Sequence, residues 1–148
     1  VPPDSSDIDN ALVAKLSSDP TLLGLMPNGV YFGLAPEKST QYVLVALADS
    51  HDEPMFGGRA FEEYVYAVKA VEMSTVATRN VKAAGARIDA ILDPPAPPRL
   101  ALTIPGYALK LSRRQERIRY DEIDEVDHSI RWSHRGALYT LWVSPLTS

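Results

Sequence analysis

Residues 93 to 98 read DPPAPP, four prolines in six positions. Proline lacks the backbone N–H and fixes φ, so no helix continues through this segment and no central strand contains it. The run reads as a rigid connector rather than as a docking motif for proline-binding modules. Upstream, Ser74 or Thr75 can cap a helix in which Val76, Ala77, Val81, Ala84, Ile88 and Ile91 keep helical spacing as far as Leu92. Downstream, Leu100 to Ile104, Tyr107 to Tyr120 and Ser129 to Val143 all read as strands.

Near the N-terminus, Ser6 or Asp7 can cap a short helix with Ile8, Leu12 and Leu16 on one face. Asp19-Pro20 marks a second cap with proline at the first helical position, opening the brief turn TLLGLM. After Pro27-Asn28-Gly29 the chain enters strand-like Val30 to Phe32. Gln41 to Ala48 is nearly continuous in apolarity, as expected of a central strand. Phe61 to Val71 alternates, with Tyr64, Tyr66 and Val68 on one face. The polar stretch between them, Asp49 to Arg59, predicts a long exposed hairpin loop. The order α-β-β-β-α-β-β-β predicts an α+β fold over 1–148, a mainly antiparallel sheet with two principal helices packed on it.

At 148 residues and 45% hydrophobic content, a single domain can bury a real core. With no cysteine, disulfides, thiolate catalysis and cysteine-based zinc sites are excluded. The longest apolar run, Tyr42 to Ala48, is far shorter than the roughly 20 residues of a membrane helix, so no membrane partner is expected. The opening VPPDSSDID shows no basic segment followed by an apolar one, so no secretory signal is expected. A formal net charge of -4 argues against a protein whose task is to grip phosphate backbones.

Tyr120 to Gly136 holds five carboxylates, Asp121, Glu122, Asp124, Glu125 and Asp127, together with His128 and His134. One reading is a metal-dependent hydrolase or nuclease built on Asp121, Asp124, Asp127 and His128, because hard cations take several carboxylate oxygens. Extended backbone would send Asp121, Glu125 and Asp127 to one face and Glu122 and Asp124 to the other, and no DxDxDG loop or HExxH spacing is present. The serines lack a GxSxG elbow, and Gly57-Gly58 lacks a phosphate-binding framework. No catalytic residue, metal or cofactor is assigned.

The basic block Arg113, Arg114, Arg117 and Arg119 runs directly into that acidic block. Adjacent blocks of opposite sign on one strand cannot neutralise each other without a turn, so their complement is expected on another copy, where such pairs set orientation. Met55 and Phe56, with Asp52, Glu53 and Arg59 around them, sit where the hairpin loop could reach a different partner.

In order and texture the chain resembles the tail-completion family of long-tailed bacteriophages, which includes tail-terminator and head-to-tail joining proteins. The resemblance runs through IDNALVAKLSSDPTLLGLM, NGVYFGLAPEKSTQYVLV, FEEYVYAVKAVE and VATRNVKAAGARIDAIL. It ends in DEIDEVDHSIRWSHRGALYTLWVS, where an acidic stretch precedes HRxxxYxxWV. It implies a virion structural protein at the head–tail joint, made in the bacterial host cytoplasm. Six copies would form a ring at the head-proximal end of the tail tube, stop its polymerisation, and pass double-stranded DNA through the lumen without tight binding. The implied partners are other copies of the chain, the tail tube protein, and a head connector, adaptor or stopper protein. A head-side neck (head-completion) protein and a host-encoded module that binds one protein partner are the alternatives within the same fold.

Overall fold

The computed structural model describes residues 4–55 and 58–146, the side chains of 53–55 and 58–60 excepted. In chain order the elements are α1 (Ser6–Ser17), α2 (Pro20–Leu25), β1 (Val30–Phe32), β2 (Gln41–Met55), β3 (Gly58–Met73), α3 (Val81–Leu92), β4 (Tyr107–Ile123) and β5 (Arg131–Pro145). The fold is α+β. Its sheet has the order β1-β2-β3-β5-β4; β1 runs parallel to β2 and every other pairing is antiparallel.

Helical spacing becomes packing directly. Ile8, Leu12 and Leu16 of α1, Leu22 of α2, and Val81, Ala84, Ile88 and Leu92 of α3 are all buried. They join Val43, Val45, Tyr64, Tyr66, Val68, Ala70, Ala137, Tyr139, Leu141 and Val143 in one core. Those strand residues alternate along β2, β3 and β5, so the core lies on one face of the sheet. Among the described residues the opposite face has no helical layer. Tyr66 and Tyr139 bring polar tips into this core and satisfy them across layers, donating to Asp9 of α1 at 2.5 Å and to Asp89 of α3 at 3.0 Å.

Asp19 serves two elements at once. Its carboxylate accepts the N–H of Leu22 at 2.9 Å, capping α2 behind Pro20, and receives the Arg87 guanidinium of α3 at 2.9 and 2.6 Å. The Arg87 bonds hold the Asp19 carboxyl below the usual range.

Three boundaries differ from the sequence reading. Asp49 to Arg59 is not a loop: β2 and β3 continue their ladder to Met55↔Gly58, with irregularities at Leu47/Asp49 and Glu53/Pro54. Since β3 first meets β5 at Glu62↔Val143, the end of this hairpin projects beyond its neighbour as a two-stranded arm. Asp49 to Asp52, which lead into it, are all exposed, so the apolar alternation that marks a half-buried strand has no reason to appear there. Leu100 to Ile104 is not a strand. It packs by side chains, Ile104 buried and Leu100 and Leu102 against the core, and its ladder contact is the isolated bridge Ile104↔Tyr107.

The third difference is the start of α3, at Val81 rather than near Ser74. The N–H of Ser74 donates to the Arg131 carbonyl and that of Met73 to Thr40, which holds this stretch to the sheet. Glu72, with no exposed surface, then collects Gln41 Nε2 at 2.9 Å, Arg79 Nε at 3.2 Å and the Asn80 N–H at 2.6 Å. A buried carboxylate must be satisfied, and the connection into α3 is shaped around this one.

Candidate contact surfaces

The arginine block lies on β4, an edge of the sheet, and divides between its faces. Register places Arg114, Arg117 and Arg119 opposite Tyr139, Ala137 and Arg135, on the helix side, and Arg113 opposite Thr140 on the other. A bulge at Gln115 keeps Arg114 and Arg117 on the same side. With Lys82 of α3 and Arg135 of β5, the three helix-side arginines line a groove of about 430 Å³ between α3 and the β4–β5 hairpin. Among the described residues one carboxylate faces it, Asp89, already bonded by Arg114 Nη1 at 2.9 Å and by the Tyr139 hydroxyl. Arg119 opposite Arg135 is a like-charge cross-strand pair, which costs stability unless an anion joins it. Lys82, Arg117, Arg119 and Arg135 form no ion pair among the described residues.

The acidic block is used differently. Asp121 and Glu122 end β4, and residues 124–130 turn the chain into β5. Asp124 accepts the N–H groups of Val126 and Asp127 at 3.1 and 2.9 Å and the Trp132 indole N–H at 3.0 Å. Asp127 accepts the N–H and hydroxyl of Ser129 at 3.0 and 2.6 Å. These bonds lower both carboxyls from their ordinary values, led by the Asp127 N–H for Asp124 and by the Ser129 hydroxyl for Asp127. Both carboxylates build the turn, as aspartates do when they bond backbone two residues on. His128, Glu125 and Val126 are exposed at the tip. Among the described residues no three His, Asp or Glu side chains converge as a metal-holding group, so the structure does not assemble the Asp121, Asp124, Asp127 and His128 set.

The arm carries the second predicted contact region. Asp49 and Asp52 are exposed, while His51 Nε2 meets Glu63 at 2.7 Å. Phe56 and the side chains of Glu53, Met55 and Arg59 lie outside the described residues.

The sheet face away from the helices holds a cluster that sequence reasoning does not reach. His134, 5% exposed, bonds Glu122 through Nε2 at 2.7 Å and lies under the Tyr120 ring, with centroids 4.2 Å apart. Lys69 donates to the Tyr120 hydroxyl at 2.7 Å. Burial pushes the His134 imidazole below its ordinary value against the opposing pull of Glu122. Its Nδ1 has no hydrogen-bond partner among the described residues. The i, i+2 parity of Tyr120 and Glu122 is legible in the sequence, but their pairing with His134 needs the β4–β5 register.

No protein-family model matches the sequence, and no curated protein does. Among solved structures, a chain from the virion of a native gene transfer agent particle superposes with TM-score 0.66 at 17% identity, covering 94% of this chain and 96% of that one. The fold also occurs in a virion. A second solved chain, 14% identical, superposes with TM-score 0.58 over 98% of this chain and 99% of its own. Both alignments run nearly end to end, so the likeness is to a whole fold rather than to a common fragment.

Proposed function

We propose that this chain is a phage-type virion structural protein, a tail-terminator or head-to-tail joining subunit. In this reading six copies form a ring at the head-proximal end of the tail tube, end its polymerisation, dock to the head connector, and leave a lumen for DNA. The observation that carries the reading is the end-to-end superposition on a virion chain. The charge layout supports it: an acidic chain with one strongly basic edge suits contact with copies of itself better than adhesion to passing DNA. Assembly asks no catalytic residue of the subunit, and the carboxylates most suggestive of chemistry are occupied as turn acceptors.

Electron microscopy of the protein mixed with tail tubes of its own particle tests this directly. A six-fold ring capping one tube end is the expected result. Rings bound to isolated head connectors but absent from tubes would move the protein to the head side of the joint. Uncapped tubes and bare connectors would overturn the reading.

A further inference from the structure

We propose that the outer edge of β4, from Arg117 to Ile123, pairs antiparallel with the same stretch of a second copy about a two-fold axis at Tyr120, so that Arg119 of each copy lies opposite Asp121 of the other. The contact closes with two copies, so it goes beyond the ring reading and does not rest on it.

β4 ends the sheet, and among the described residues no strand lies beyond it. Before the bulge this edge is occupied: the Arg114 N–H donates to the Asp93 carboxylate at 3.0 Å and the Ser112 hydroxyl to the Leu92 carbonyl at 2.7 Å. From Glu116 to Ile123 the described hydrogen bonds of the backbone are those of the β5 ladder alone. Open backbone of this kind recruits another strand, and charge of a single sign along it would repel a copy. Here the signs are mixed and ordered, basic at Arg117 and Arg119 and acidic at Asp121 and Glu122. Antiparallel pairing reverses that order in the second copy, so the basic half of one strand meets the acidic half of the other. Tyr120 and Ile123 leave apolar surface exposed along the same stretch.

The charges also select the register. A two-fold axis perpendicular to the sheet keeps the helices of both copies on one side, so in this stretch odd-numbered residues stand opposite odd and even opposite even. Centring the pair on Ile118 sets Arg117 against Arg119. Centring it on Arg119 sets that arginine against itself and Glu116 against Glu122, and centring it on Asp121 opposes two aspartates. Each of these is a like-charge cross-strand pair. Centring on Tyr120 places Arg119 opposite Asp121 twice, Arg117 opposite Ile123, Ile118 opposite Glu122, and the two Tyr120 side chains opposite each other. Within the paired stretch no like charges are then directly opposed. Arg119 and Asp121 are exposed and form no ion pair among the described residues. Both point to the helix side, where Asp121 of the second copy supplies the anion that the Arg119–Arg135 pair lacks. Glu122 keeps its bond to His134 and the Tyr120 hydroxyl keeps that from Lys69, so the contact draws on neither.

Sedimentation of the full chain over a range of concentrations tests this, with thermal unfolding to show that each variant folds like the unmodified chain. The unmodified chain is expected to pass from monomer to dimer. Arg119→Asp and Asp121→Arg each set like charges at both cross-strand positions, and each is expected to need at least ~10-fold more protein to dimerise. An equal mixture of the two is expected to form a heterodimer, since one strand is then basic at both positions and the other acidic. Arg119→Asp with Asp121→Arg on one chain restores both pairs with signs exchanged and should dimerise like the unmodified chain. A chain that stays monomeric throughout would overturn the proposal. So would single variants that dimerise at the unmodified concentration, or a folded double variant that stays monomeric. If the unmodified chain is monomeric yet retains a short DNA duplex that Arg119→Asp loses, the edge is a phosphate site and the proposal falls. A six-copy mass that the single variants leave unchanged would defeat this contact and leave the ring reading standing. Tubes left uncapped by a chain that dimerises through this edge would defeat the ring reading alone.

Discussion

Glu72, wholly buried in β3, accepts the backbone N–H of Asn80 at 2.6 Å, immediately before α3 begins. The same carboxylate holds Gln41 from β2 and the guanidinium of Arg79. Glu72→Ala leaves those donors without their acceptor, and a loss of about 3 kcal/mol in folding stability is expected. Glu72→Gln keeps an acceptor for the Asn80 N–H and should lose less. Urea unfolding of the two variants checks the order, and an equal loss in both would place the effect in the charge alone.

Asp19 links acid sensitivity to helix packing. Its folded-state pKa lies below the ordinary 3.8, chiefly through Arg87, so its stabilising contribution is present above that value and is lost as pH falls through the folded pKa. Asp19→Ala removes the α2 cap as well and is expected to cost about 1–2 kcal/mol near neutral pH. Asp19→Asn keeps a capping oxygen and should flatten the acid limb of the stability curve. Unfolding measured from about pH 2 to 7 separates the two effects.

His134 acts in a different window. Burial lowers its pKa from the ordinary 6.5, with Lys69 adding to the effect and Glu122 and Asp121 opposing it. Between the folded and unfolded pKa values the unfolded chain binds more protons, so stability falls as pH drops below 6.5 and levels off under the folded value. His134→Gln should remove that slope while leaving the Asp19 limb in place. An unchanged slope between about pH 5 and 7 would assign it to another group.

Gly136 tolerates no side chain. A Cβ there would stand 2.1 Å from the Val68 carbonyl oxygen and 2.5 Å from Lys69 Cα, both backbone atoms that cannot turn aside. Gly136→Ala is expected to cost about 3 kcal/mol or more, or to prevent folding. By contrast, Gly24→Ala meets nothing within 4 Å and should be neutral or slightly stabilising, since alanine favours the helix. Paired thermal unfolding of these two variants tests the contrast.

The parts legible in the sequence are those written in local patterns. The spacing of Ile8, Leu12 and Leu16, the Asp19-Pro20 cap and the alternation of Tyr64, Tyr66 and Val68 all correspond to observed elements and burial. What stays hidden depends on partners far away in the chain. Glu72 sits in an ordinary KAVEM context, and its role appears only when Gln41 and Asn80 are brought to it. The stretch from Asp49 to Asp52 reads as loop because it is polar and exposed, although it continues the β2–β3 ladder. The arginine block is visible as charge, but its division between faces depends on the bulge at Gln115, which no spacing rule announces.

Both tryptophans, Trp132 and Trp142, lie on β5 in the set that alternates away from the core residues Ala137, Tyr139, Leu141 and Val143. One rests near Tyr42, its ring centroid 6.5 Å away, and the other stacks on Phe61 at 4.5 Å. The molecule thus carries both of its indole fluorophores on a single side. Emission colour will register whatever comes to cover the helix-free face and will be largely blind to events under the helices, giving the two layers separate optical identities without any added label.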